Sequence, residues 1–322
     1  MRYYTINFLD PKTRKVVKTY TSFPGNQTDL GALDIELDLL VKDQTAATLT
    51  GAFVAIYGVP ITDIKQASNF NGYLVEVFAG MQKGLPLANP TQAGLLMSGL
   101  ILQAYGNWIG VEQTLTLQIV GGPDGPGSPE NPKNLVLTWR AGQNLASAIT
   151  TTLQTAFPGC TVNCNLSPNL VLSHDETGYY QSLEQFGYIV RHLSVSLMGK
   201  DYPGVSIVLK EKVFTVYDGT SQAKPKEIVF TDLIGQPTWV AANTIQMAVV
   251  MRADISIGDY LTLPKTAITT TPASFSQERT NSIFQGTYIV NSVRHVGRFR
   301  QADAGSWVTV LTMNDTTKLK VT

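Results

Sequence analysis

The sequence predicts an α+β protein that is mainly β. Two β-barrel domains related by internal duplication flank an inserted ferredoxin-like α/β domain. Three observations lead there. Apolar and polar residues alternate near both ends of the 322-residue chain, the period of two that a half-buried strand requires. The middle switches to helical spacing. The strand pattern of the first third then returns in the last.

Residues 1–31 read as an N-terminal extension, and residues 32–121 as the first barrel. In "ALDIELDLLV" Leu33, Ile35, Leu37 and Leu39 alternate with Asp34, Glu36 and Asp38. "GYLVEVFAG", "GLILQAYG" and "QTLTLQIV" continue the alternation. "GGPDGPGSPENP", Gly121 to Pro132, stacks glycine and proline where neither a helix nor a central strand persists. Residues 122–226 comprise this loop and the inserted domain. "NLVLTW" reads as a strand. "QNLASAITTTLQTAF" sets Leu145, Ala148, Ile149, Leu153 and Phe157 at helical spacing. "CTVNCNL" and "NLVLSH" read as short strands, "YYQSLEQFGYIVRHL" as a second helix, and "GVSIVLKE" and "KVFTVYD" as strands again. That order is the split βαβ arrangement of ferredoxin-like domains.

Residues 227–322 read as the second barrel, because Tyr73-Leu74 recurs as Tyr260-Leu261. Twenty-six residues after each tyrosine comes a glycine, Gly99 or Gly286, that opens a matching strand. A turn and a closing strand follow in both copies. In the second copy the turn is basic: "RHVGRFRQADAGS" carries Arg294, His295, Arg298 and Arg300, where the first copy has only "NWIGVE". Function shared by the copies therefore does not depend on this cluster. Its four residues are expected to decorate a hairpin tip and to make subunit contacts, with Asp303 a nearby charged partner.

Composition excludes several function classes. Lys and Arg total 24, as do Asp and Glu, so no net field favours nucleic acid or an acidic membrane. The charged fraction of 15% is low, which suits a surface covered by partners. Two cysteines are too few to staple the fold and fit assembly in a reducing cytoplasm. No apolar signal core or membrane span is expected.

The chemistry-bearing residues point the same way. Cys160 and Cys164 precede His174, Asp175 and Glu176, which counts as enough ligands for zinc. On a strand, however, positions i and i+4 lie ~13 Å apart at ~3.3 Å per residue, too far for one ion. The cysteines are expected to pack as small hydrophobes. The three histidines lack a nucleophile elbow, and no phosphate-binding or zinc-protease motif is present. Neither enzyme activity, nor a cofactor, nor a metal is expected.

The closing stretch "GTYIVNSVRHVGRFRQADAGSWVTVLTM" resembles the last hairpin of baseplate hub proteins of long-tailed, contractile-type bacteriophages. In these a strand ending in V-x-H leads through a charged turn to W-x-T-x-L. The resemblance implies tube-like barrels, a structural role without catalytic residues, and a homotrimer whose six barrels match a hexameric tail tube. It also implies a trimeric central spike, other baseplate proteins and the tape measure protein as partners, with DNA only passing through the channel. The place implied is the virion tail, assembled in the host cytoplasm. Two alternatives stand beside it: a tail-associated cell-wall hydrolase using residues near 160–176, and a tail-tube or distal-tail protein.

Overall fold

A computed structural model describes residues 2–42, 51–81, 90–121, 134–199, 202–210, 213–220, 224–264, 284 and 286–316. The glycine- and proline-rich loop expected at 121–132 lies, after Gly121, outside them. The described chain is mainly β. No helix is long and apolar enough to cross a membrane among the described residues.

Among the described residues the first third forms seven strands: β1 (Arg2–Leu9), β2 (Val16–Thr21), β3 (Asp34–Lys42), β4 (Gly51–Tyr57), β5 (Leu74–Met81), β6 (Gly94–Ile109) and β7 (Glu112–Gly121). A short helix, α1 (Ile61–Lys65), follows β4. Alternation decides which side of each strand is buried. Ile35, Leu37 and Leu39 are fully enclosed, while Asp34, Glu36 and Asp38 stay on the opposite face. Enclosing each such side chain is worth roughly 1.5–3 kcal/mol at most. The segment 1–31 is not a bare extension. β1 pairs with β5 along its whole length, and β2 pairs with β1.

The last third contributes β13 (Lys226–Glu227), β14 (Thr238–Ala241), β15 (Thr244–Val250), β16 (Tyr260–Thr262), β17 (Thr287–Arg298) and β18 (Trp307–Asp315). All of these strands and the first seven belong to one 13-stranded sheet. Its order is β14-β15-β18-β17-β3-β4-β7-β6-β5-β1-β2, with β16 beside β17 and β13 beside β16. Two runs within it share one order: β4-β7-β6-β5 and β15-β18-β17-β16.

The residues that correspond in these runs differ from those the sequence suggests. Gly72 N–H donates to the Ile101 carbonyl, and Gly258 N–H to that of Val290, both at 2.8 Å. Each glycine has a positive φ, +81° and +86°, which a side chain would strain. The turn glycine, not the shared Tyr-Leu, therefore sets the equivalence. Tyr73 matches Asp259, Ile101 matches Val290, and the spacing between turn and strand differs by three residues. Gly99 and Gly286 do not correspond.

The middle segment departs from a single ferredoxin-like sheet. Among the described residues β8 (Leu135–Trp139) pairs only with β10 (Glu176–Tyr180). β9 (Thr161–Asn165) runs parallel to β12 (Val213–Tyr217), which pairs antiparallel with β11 (Ser206–Lys210). "NLVLSH" makes one isolated bridge, Val171 to Asn144. The second helix starts later than its apolar spacing suggested. Tyr179 is exposed and Tyr180 buried, a strand's alternation, and Ser182 then caps α3 (Leu183–Met198) by accepting from Gln185 N–H at 3.1 Å. Together α3 and α2 (Leu145–Ala156) enclose the core of this segment around Trp139, Phe186 and Phe214.

Trp307 ties the ends of the chain together. It opens β18 yet lies in the core of the first third, with Nε1–H donating to the Gly80 carbonyl at 3.1 Å. Gly297 makes room for it: a Cβ there would stand 2.6 Å from the ring. Trp307→Ala should cost roughly 3–5 kcal/mol, read in urea as a lower midpoint at unchanged slope. Gly297→Ala should also destabilise, through overpacking, by roughly 1–3 kcal/mol.

Candidate assembly surface

β3 and β17 join the two β-units. They pair antiparallel from Glu36↔Arg298 to Lys42↔Ser292. Alternation puts the acidic residues of β3 and the basic residues of β17 on one face, as cross-strand and diagonal neighbours. Arg294 grips the Asp38 carboxylate with both Nε (2.7 Å) and Nη2. Arg298 Nε lies 3.4 Å from Asp34 and its Nη1 4.0 Å from Glu36, with the guanidinium 5.1 Å above the Tyr57 ring. The Arg300 backbone N–H donates to Asp34 at 3.0 Å, and its Nη2 reaches the carbonyls of Leu30 and Ala32.

The basic cluster thus has a different place from the one expected. Arg294 and His295 lie inside β17 and Arg298 is its last residue, and both arginines have partners inside the chain. His295 faces the other way and is only 3% exposed, with Nδ1 2.9 Å from Thr309 Oγ1. Burial removes His295 from any subunit contact. The side on which each residue falls follows from strand parity, which the cluster's shared basicity conceals.

Beneath the joint is a buried polar network that the sequence reading missed. Arg252, 5% exposed, holds Asp254 in a two-pronged contact (2.7 and 2.6 Å) and Asp232 through Nη1 at 2.7 Å. Asp232 also accepts from Gln92 Nε2 at 2.8 Å, and Ala253 N–H donates to the Gln92 carbonyl at 2.7 Å. Gln92 belongs to the first β-unit, so the network crosses between the two. Burial alone would lower the Arg252 pKa. The hydrogen bonds and charges of Asp254 and Asp232 outweigh it and hold the pKa above its usual value. Spacing offered one weak signal, the Arg-x-Asp of Arg252 and Asp254.

Arg2 was also missed. It donates to the carbonyls of Arg298 (2.9 Å), Gln301 and Asp303 (2.7 Å), wrapping the β17–β18 turn. Desolvation lowers its pKa, and Asp303 partly opposes this. Asp303 therefore serves Arg2 rather than the arginines of β17.

The face of β3, β4, β7 and β6 opposite the core is concave, enclosing about 590 Å³ lined by Glu36, Tyr57, Tyr105, Asn107, Glu112 and Gln118 among others. Beside it, the β6–β7 turn carries exposed Trp108, Ile109 and Val111. At the far end of the sheet every residue of β14 is exposed, including Trp239 and Val240.

The residues considered for metal or catalysis do not converge. Cys160 and Cys164 are half-buried thiols packed on the middle core. His174 Nε2 lies 3.9 Å from Glu176 at an exposed position. No group of three His, Cys, Asp or Glu side chains could hold a metal among the described residues.

Three measurements follow from this geometry. Arg252→Met leaves the buried Asp232 and the partly exposed Asp254 without their cation and should destabilise by roughly 3–5 kcal/mol. Arg294→Ala removes a half-exposed pair and should cost only about 0–1 kcal/mol. Burial pushes the Cys164 thiol up to about 11, and only the thiolate reacts. Its alkylation near pH 8 should therefore be slow, on the order of 100-fold below a free cysteine, and rise about tenfold per pH unit up to pH 10.

No known family model and no curated protein matches the sequence. Solved structures do match. The 43 kDa tail protein of prophage MuSo2 from Shewanella oneidensis aligns over 99% of both chains, with a TM-score of 0.52 and 7% identity. A tail protein from Neisseria meningitidis aligns over 99% of both chains at a TM-score of 0.47 and 9% identity. An Escherichia coli component of the type VI secretion system aligns over 88% of this chain and 74% of its own, at 0.46 and 9%. At these identities the likeness concerns the fold, and the Shewanella match carries it: over its whole length the chain has the fold of a phage tail protein.

Proposed function

We propose that this chain is a structural subunit of a phage tail, the baseplate hub at the tail tip that joins a hexameric tube to a trimeric central spike. The observation that carries the reading is the repeated strand order, β4-β7-β6-β5 and β15-β18-β17-β16, within a chain of phage-tail fold. Two barrel-like units per chain, related by duplication, give a homotrimer six similar units. Such a trimer meets six-fold and three-fold neighbours without mismatch, which gives the duplication a physical purpose.

In this reading the units close into a ring whose concave sheet faces line a central channel, through which DNA passes. The tape measure protein and other baseplate proteins are further partners, and the virion tail is the location. Rim charges such as Arg298 and Arg300 contribute register and specificity at subunit and tube contacts rather than affinity. The chain has no catalytic role. A tail-associated hydrolase would need the residues near 160–176 to share a site, whereas Cys164 packs on the middle core and His174 stands in solvent. A tail-tube or distal-tail protein would need only one such β-unit.

Mass photometry of the purified full chain should show a species of three subunit masses, and negative-stain images a ring with six lobes and an open centre. A chain that stays monomeric or dimeric, alone and with a trimeric spike protein, would remove the basis of the reading.

A further inference from the structure

The joint between β3 and β17 has a counterpart that the single chain leaves open. Along one edge, β17 is covered first by β16 (287–289) and then, past an irregularity at Val290/Ser292, by β3 (292–298). β6 repeats the first half of that arrangement. β5 covers residues 94–100, and an irregularity at Ile101/Gln103 follows. No strand then covers Gln103–Ile109 on that edge among the described residues. The strand equivalent to β3 is β14, since β14 flanks β15 as β3 flanks β4. Among the described residues no strand covers the outer edge of β14 either: it is the end of the sheet.

We propose that β14 of one subunit pairs antiparallel with the open edge of β6 in a second copy of this chain, reproducing between chains the joint that β3 and β17 make within one. The proposal rests on the trimeric reading above and deepens it. The ladder fixes the register. Ala104 pairs with Leu117 and Val293 with Leu311, and these face Val54 and Met247 respectively. Phe53 therefore corresponds to Gln246, and their partners Asp38 and Thr238 to each other. Asp38 lies opposite Val296, the counterpart of Asn107. Between subunits Thr238 then faces Asn107 and Trp239 faces Gly106, and Val240, at the irregularity between Trp239 and Ala241, falls beside Tyr105.

Two further observations support this occupant. Exposed edge strands are normally guarded by charge, as β2 is by Lys18. Yet the segments Gln236–Ala248 and Leu100–Val111 contain no charged residue. Both are apolar where they would meet: Trp239, Val240 and Tyr105 are 41%, 53% and 37% exposed. In addition, Ala104 N–H points to this edge, where the Asn71 side chain accepts from it at 2.7 Å. Tyr105 is therefore in a non-hydrogen-bonded position toward the incoming strand, with a cross-strand Cα separation of about 4.5 Å. That separation permits a disulfide.

The test mixes full-length Tyr105→Cys chains with Val240→Cys chains under mild oxidation. A covalent dimer should form in the mixture and be absent from either variant alone, and the double variant should close into a covalent trimer. In parallel, Val240→Lys with Tyr105→Lys places like charges face to face and should weaken self-association on the order of tenfold or more, with circular dichroism unchanged. If the wild-type chain is trimeric but the mixture gives no cross-link, this joint is wrong and the hub reading stands. If the wild-type chain is monomeric at high micromolar concentration with no cross-link, both fall.

Discussion

The antiparallel pairing of β3 with β17 is the constraint on which the rest of the structure depends. Without it the chain would be two small sheets, each with a long open edge. With it they become one sheet, and side chains from one unit enter the core of the other: Met251 and Trp307 pack with Tyr4, Leu37 and Leu96. The two faces of the joint do different work. On the core side, hydrophobic burial and the Arg252 network are costly to disturb. On the open side, the arginine–carboxylate pairs are half-exposed and contribute little stability. The alternation itself resists a one-residue slip, which would carry Arg294 and Arg298 to the core side.

Much of this was legible in the sequence. "ALDIELDLLV" showed its buried and open faces directly, because strict alternation is the strand's own geometry. The last hairpin was equally plain at its ends. What the sequence concealed was partnership. β3 and β17 are separated by about 250 residues, and nothing local says that Asp38 answers Arg294. Read locally, a run of Arg, His and Arg is a basic cluster. Read with strand parity, His295 belongs to the interior and the arginines to the open face.

The middle segment was misread for a different reason. The elements rich in apolar residues were found, but the strand and the helix that adjoin here are separated only by Gln181 and the capping Ser182. Ser182 with Gln185 was the available signal, and the apolar spacing of Leu183, Phe186 and Val190 drew the helix back over Tyr179 and Tyr180. Topology is harder still. Whether β8 to β12 make one sheet or two depends on packing against α2 and α3, which strand propensity does not encode.

The two runs of like strand order show how a shared backbone pattern carries different side chains when its surroundings differ. Both copies keep the backbone features that geometry demands: a turn glycine with positive φ and an irregularity midway along the long strand. The side chains around them are free to change. Where β17 meets β3 the outward positions carry Arg294 and Arg298 against acids. At the equivalent positions of β6 stand Tyr105 and Ile109, uncharged. A joint within one chain forms at very high effective concentration, so modest pairs suffice to set its register. A joint between chains must also overcome the entropy of association, and desolvated aromatic and β-branched contacts supply more free energy for that than exposed ion pairs do. The contrast between a charged inner joint and an apolar, uncharged outer edge is what that difference in cost predicts.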